Sequence, residues 1–194
     1  MTEWVDASRL DLRRWIRPGD AIVCGQACGE PVTLIEALIA QRHDLGGLSL
    51  FLGTSFTGLL QPEHCDAIRV RSMGAIGTLR SLAKAGCLEI VPCHVGRIGS
   101  MIKAGEIACD VAFIQVSPAD AEGRHSPGVI ADYVAAAVAK ARVVIAEVSE
   151  AVPHTTGDIM LPTEAIHVAI ATDRGPATVP PVKIGDLDRT IASH

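Results

Sequence analysis

Residues 110–128 read DVAFIQVSPADAEGRHSPG. An apolar run, Val111 to Val116, is bounded by Asp110 on one side and by Ser117-Pro118 on the other. A strand covered on both faces reads this way, as a continuous apolar stretch rather than an alternation. Pro118 cannot extend a central strand, and Gly123, Pro127 and Gly128 punctuate a polar loop after it. That loop carries Ser117, Asp120, Glu122, Arg124, His125 and Ser126. A buried strand delivering a polar loop is the layout of an α/β ligand site, since ligands sit beyond the carboxyl ends of parallel strands. An ordinary surface turn has the same pattern.

Outward from this stretch, short apolar runs alternate with helical patterns. Strands are expected at 21–23, 48–52, 68–70, 88–91, 143–148 and 166–171. Helices are expected at 5–16, from Pro31 through Ile39, at 76–85, at 95–103 and at 129–140. Pro31 sits where a first helical residue belongs, because its missing N–H costs nothing there. Gly86 and Gly105 stand where helices stop. Strand–helix alternation predicts an α/β fold with a mostly parallel, open sheet flanked by helices. Residues 172–183, with Gly175, Pro176, Pro180 and Pro181, read as a linker, and a helical pattern with Asp186 as its cap begins at Ile184. The expected organisation is one α/β domain over 1–183, with 184–194 opening a helix that leads to a further domain.

The chain has 194 residues, enough for one domain with a sizeable core. Hydrophobic residues make up 48%, which excludes a disordered chain, and aromatics only 3%, so aliphatic side chains must fill the core. A net charge of −5 without a basic cluster argues against nucleic acid. No segment has the apolar length to span a bilayer, and MTEWVDASRLDLRRW lacks the apolar core of a signal peptide, so a cytoplasmic protein is expected. Cys24, Cys28, Cys65, Cys87, Cys93 and Cys109 form no CxxC pair, and neither a disulfide framework nor a metal site is expected.

Three loops should lie at one edge of the sheet, each after a parallel strand: Gly25–Glu30, Gly53–Gly58 and Ser117–Gly128. The glycines of CGQACGEP let backbone N–H groups approach a ligand, although the pattern is neither GxGxxG nor a P-loop. GTSFTG offers the hydroxyls of Thr54, Ser55 and Thr57, which serve equally well to cap their own backbone. Cys24 and Cys28 are candidate nucleophiles if exposed. His154, in EAVPHTTGD, is a candidate general base or a loop histidine. Glu30, Glu122 and Glu164 are the carboxylates nearest the loops, and none has a partner that marks it as a nucleophile.

Taken together, GEP before the first long helix, the 110–128 stretch and RVVIAEVSEAVPHTTGD resemble the amino-terminal domain of the acetyl-CoA hydrolase/transferase family, the class I CoA-transferases. The family pattern falls on Ser117, Pro118, Asp120, Gly123, Ser126 and Gly128, then on Glu147, Val148, Pro153, Gly157 and Asp158. The resemblance runs from about Ile16 to the end. It implies an enzyme of two α/β halves with acyl-CoA between them. In its ping-pong reaction a glutamate attacks the thioester, and CoA is passed to a small carboxylic acid or the acyl group to water. Coenzyme A enters as substrate, and no cofactor is implied. The family's catalytic glutamate belongs to a carboxyl-terminal half, so no catalytic residue is assigned here. The resemblance assigns substrate lining to Gly25, Gln26, Gly29, Ser55, Ser117 and Asp120, with Asp120 alternatively a brace for its loop. It also implies a missing domain or partner subunit, and a homo-oligomer. Two other readings stand beside it: a small thioesterase using Cys28, Glu30 or His154, and a non-catalytic CoA-binding module.

Overall fold

A computed structural model of the chain describes residues 1–179 and 181–193. Pro180, in the expected linker, and His194, at the end of the last helical pattern, lie outside the described residues. The strands of the main sheet are β1 (Glu3–Val5), β2 (Ala21–Cys24), β3 (Leu48–Phe51), β4 (Ile68–Ser72), β5 (Leu88–Ile90), β6 (Val111–Val116), β8 (Val143–Ser149) and β10 (Val168–Thr172). The helices are α1 (Val32–Gln41), α2 (Arg80–Lys84), α3 (Ile98–Ala104), α4 (Val134–Lys140) and α5 (Asp186–Ala192). A second, two-stranded sheet pairs β7 (Arg124–His125) with β9 (Leu161–Pro162).

The main sheet has the order β1-β10-β8-β6-β2-β3-β4-β5, and every pair in it is parallel. The chain moves outward from β2 to β5, then returns to lay β6 on the other side of β2. The order therefore reverses between β2 and β6, and a crevice opens there beyond the carboxyl ends.

Side-chain alternation along each strand builds two cores. In β6, Val111 and Phe113 face one side with Leu34, Ile35 and Leu38 of α1, while Ala112, Ile114 and Val116 face the other. There they meet Ile98 and Ile102 of α3 and the small Ala136 and Ala137 of α4. Both faces are covered, which is why the strand sequence shows no polar alternation.

Several expectations needed correction. The helix expected at 5–16 is absent. Glu3–Val5 instead pairs with β10, and two 3-10 turns come next, each begun by an aspartate whose side chain accepts a backbone N–H: Asp6 from Ser8 and Asp11 from Arg13. Such local bonds compete with the helix. The helix expected from Val129 begins only at Val134, and the one expected at 76–85 is the short α2. Pro31 is the cap of α1 rather than its first residue, and Gly185 rather than Asp186 caps α5, with the Asp188 carboxylate accepting the Gly185 N–H at 2.7 Å. Gly86 and Gly105 do end their helices, with φ of 75° and 82°.

Candidate functional site

The loops after β2, β3 and β6 meet at the crevice. The Ala27 N–H donates to the Thr54 carbonyl at 2.8 Å, and the Gly25 N–H to the Phe113 carbonyl at 2.9 Å, so the first loop is tied to both neighbours. The turn is tight enough that a methyl on Gly25 would overlap the Gly29 carbonyl oxygen. Ala27 sits at its apex with φ of 52°, a left-handed conformation that disfavours any Cβ. Ala27→Gly is therefore expected to stabilise the protein by roughly 0.5 kcal/mol, the relief of strain being partly offset by a looser unfolded chain. Urea unfolding measures this, and a loss of about 1 kcal/mol would contradict the strain.

Glu30 closes this loop onto the next. It is fully buried, and its carboxylate accepts from the Ser55 hydroxyl at 2.8 Å, the Thr57 hydroxyl at 2.9 Å and the Phe56 N–H at 2.6 Å. Burial raises its pKa in spite of these donors. The hydroxyl loop thus spends Ser55 and Thr57 on Glu30, and Ser55 also receives the Thr78 hydroxyl at 3.0 Å.

In the third loop Ser117 is likewise buried. Its hydroxyl donates to the Pro118 carbonyl at 2.9 Å, accepts the Ser126 N–H at 3.0 Å, and lies 3.0 Å from His154 Nδ1. Asp120 accepts the Arg124 and Glu122 N–H groups at 2.8 and 3.0 Å and pairs with the Arg124 guanidinium. Those donors hold its pKa below the usual carboxylate value although partial burial opposes them. His154 Nε2 stands 3.9 Å from Asp120. Ser126 and Thr155 complete the lock between the two loops, hydroxyl to hydroxyl at 3.0 Å. Ser117, Asp120 and His154 are thus brought together, while Gly25, Gln26, Gly29 and Ser55 form a second group on the other side of the crevice.

Two carboxyls that sequence reasoning left without a role also belong here. Glu147 is buried on β8 and accepts the Thr33 N–H at 2.8 Å and the Thr172 hydroxyl at 3.3 Å. It caps α1 from outside, supplying the acceptor that Pro31 lacks. Burial raises its pKa, so the native state holds the proton more tightly than the unfolded chain does. The resulting stability is present in acid and is lost as pH rises through the native pKa. Glu147→Gln should therefore cost less near neutral pH than in mild acid in urea unfolding; a cost that grows with pH would contradict this.

Asp132 lies just before α4. Gln26, 7% exposed, donates its amide to one Asp132 oxygen. Tyr133, between them and the sheet, receives the Gly53 N–H at 3.1 Å and donates to the Cys24 carbonyl at 2.8 Å. No motif marks Asp132, since the expected helix swallowed it.

Cys24 is fully buried, and burial pushes its thiol well above the ordinary value, which removes it as a nucleophile. Cys28, within the Gly25–Glu30 loop, is half-buried. No group of three or more His, Cys, Asp or Glu among the described residues is arranged to hold a metal. A cavity of about 640 Å³, lined by Gly19, Ser49, Cys65 and Cys87, opens at the amino ends of β3 and β4, at the edge opposite the three loops. Smaller ones, of about 430 Å³ beside Ser117 and His154 and about 360 Å³ beside Asp132, lie at the loop edge.

The sequence pattern of the acetyl-CoA hydrolase/transferase N-terminal domain matches residues 2–181. The chain is 30% identical over 178 residues to 4-hydroxybutyrate coenzyme A transferase of Clostridium kluyveri, covering 89% of this chain and 41% of that protein. It is 25% identical to succinyl-CoA:cyclohexane-1-carboxylate CoA transferase of Geobacter metallireducens, covering 86% and 39%. The chain thus spans about two fifths of the length of the curated relatives it matches. Among solved structures, 4-hydroxybutyrate CoA-transferase from Porphyromonas gingivalis superposes with a TM-score of 0.71 at 26% identity, over 93% of this chain and 42% of that one. RipA from Yersinia pestis shares the fold, with a TM-score of 0.85 at 22% identity over 95% and 45%.

Proposed function

This chain belongs to the acetyl-CoA hydrolase/transferase family through its N-terminal domain, and on that premise we propose that it forms one wall of an acyl-CoA cleft. The reaction is transfer of CoA to a small carboxylic acid, or hydrolysis of the thioester, and the attacking glutamate comes from a carboxyl-terminal half. Residues 1–183 are the wall, and 184–194 lead toward that half. The observation that carries this reading is the meeting of three loops at the β2/β6 switch point. In it Gly25, Gln26 and Gly29 line the cleft directly. Ser55, Ser117 and Asp120 shape it, because their polar atoms are engaged within the protein. Backbone N–H groups near the loops suit an oxyanion better than side chains already paired.

Leu187 and Ile191, 73% and 65% exposed, lie one turn apart on one side of α5, and Ile184, 65% exposed, precedes its cap. They suit docking of the second half, of a partner subunit or of another copy. Six free cysteines suit the reducing cytoplasm.

The test is turnover of acetyl-CoA with a small carboxylate by the full-length protein, followed by separation of CoA esters. Gln26→Ala should raise KM for the acyl-CoA about tenfold. Absence of both turnover and CoA binding at millimolar ligand would overturn the reading.

A further inference from the structure

Cys65 and Cys87 meet at the amino edge of the sheet, away from the three loops. Cys65 lies in a 3-10 turn, Pro62–Asp66, that leads into β4, and Cys87 stands directly before β5. β4 and β5 are parallel neighbours, with Val70 opposite Leu88, so the two cysteines precede adjoining strands. The Cys65 thiol points at the Cys87 carbonyl oxygen, 3.7 Å away, and the Cys87 thiol at the Leu82 carbonyl, 3.5 Å away. The two thiols are also direct hydrogen-bonding neighbours. Both are free and half-buried, and both line the cavity of about 640 Å³ at this edge. Cys24, by contrast, is sealed from any reagent. The acyl-CoA reading gives this pair no role.

We propose that Cys65 and Cys87 form a redox-modification site, closed to a protein disulfide by a small-molecule disulfide that enters the cavity and reopened by thiols. The cavity has the volume of a small-molecule site. Exchange runs in two steps. The Cys87 thiol gives up its proton and attacks one sulfur of the small disulfide, which releases one small thiol and leaves a mixed disulfide on Cys87. Cys65 then gives up its proton and attacks the Cys87 sulfur, which releases the second small thiol. Two protein thiols are oxidised, one small disulfide is reduced to two thiols, and the two protons leave on those thiols. The order follows from the environment of Cys65. Burial first, and then the hydrogen bond with Cys87, push its thiol up to about 12, so its thiolate is scarce and a poor opening nucleophile. As the closing group it acts within one molecule, and proximity offsets that scarcity. The bond would tie the turn before β4 to the start of β5, at the edge opposite the three loops.

The experiment incubates the reduced full-length protein with excess oxidised glutathione, blocks the remaining thiols and maps the peptides by mass spectrometry. It is repeated on Cys65→Ser and Cys87→Ser, with thermal unfolding to confirm that each is folded. The wild type should yield a peptide pair joined through Cys65 and Cys87, and dithiothreitol should separate it. Cys65→Ser should keep glutathione on Cys87, because the closing thiol is gone, and Cys87→Ser should leave Cys65 a free thiol. In the wild type, closure of the mixed disulfide should quicken about tenfold for each pH unit below the Cys65 pKa, as its thiolate fraction grows. Wild-type protein in which both cysteines stay free, or in which each carries its own glutathione without a joined peptide pair, overturns the proposal. So does a closing rate indifferent to pH, or glutathione taken up by Cys65 in Cys87→Ser as readily as by Cys87 in Cys65→Ser. None of these outcomes bears on the acyl-CoA reading, which the loops at the other edge carry.

Discussion

Replacing Glu30 with Ala is expected to destabilise the protein by about 4 kcal/mol, more than any surface change. The carboxylate is the shared acceptor of the Ser55 and Thr57 hydroxyls and the Phe56 N–H, all in the loop after β3. Alanine leaves these donors facing a void, and each unsatisfied buried donor costs about 1–3 kcal/mol. For a domain of this size the midpoint should fall by roughly 8–16 °C. Glu30→Gln keeps the shape and one acceptor, so it should lose about half as much. Thermal and urea unfolding of both variants decide the matter. If Ala and Gln both stay within about 1 kcal/mol of the wild type, Glu30 is not the clasp between the two loops. The same geometry removes Glu30 from the candidate nucleophiles, since its lone pairs are occupied and its site is closed.

The second large effect is expected at Gly25. Gly25→Ala sets a methyl against the Gly29 carbonyl oxygen, a backbone atom held in place by the Gly29 N–H bond to the Gln26 carbonyl at 2.8 Å. Backbone cannot swing aside as a side-chain tip does, so the loop must open, at a cost of about 2–3 kcal/mol. Opening also moves Gln26, and KM for acyl-CoA should rise with the loss of stability. Gly29→Ala is the control at the other end of the same turn: its methyl meets only Ile130 Cβ at 3.5 Å, an ordinary contact, and should change stability by less than about 1 kcal/mol. Equal effects at the two positions would contradict the close approach.

The fold was legible because its central strands are mostly apolar on both faces. Val111–Val116 and Val143–Val148 carry one polar residue each, Gln115 and Glu147, too few to suggest an alternating polar face, and parallel topology followed from the helices between them. The ends were less legible. Trp4 and Val5 form an edge strand whose partners are Ala169 and Ile170, at the far end of the chain, and nothing local announces that pairing. The β7/β9 pair was missed for the same reason, being two residues long on each side. The three loops were visible as glycine and hydroxyl clusters, but which hydroxyls face a ligand was not. The sequence leaves open whether these hydroxyls meet a ligand or bond within the protein, and in the structure Ser55 is engaged by Glu30 and Ser117 by its own loop. Asp132 carried no signal beyond its charge, and only the Gln26 amide that donates to it singles it out.

Whether the loops after β2, β3 and β6 face acyl-CoA is decided by hydrogen–deuterium exchange of the full-length protein with and without acetyl-CoA. Protection is expected in 25–30, 53–58 and 117–128, at the carboxyl edge of the sheet. Protection confined to the opposite edge, around Gly19, Ser49, Cys65 and Cys87, would contradict the acyl-CoA cleft.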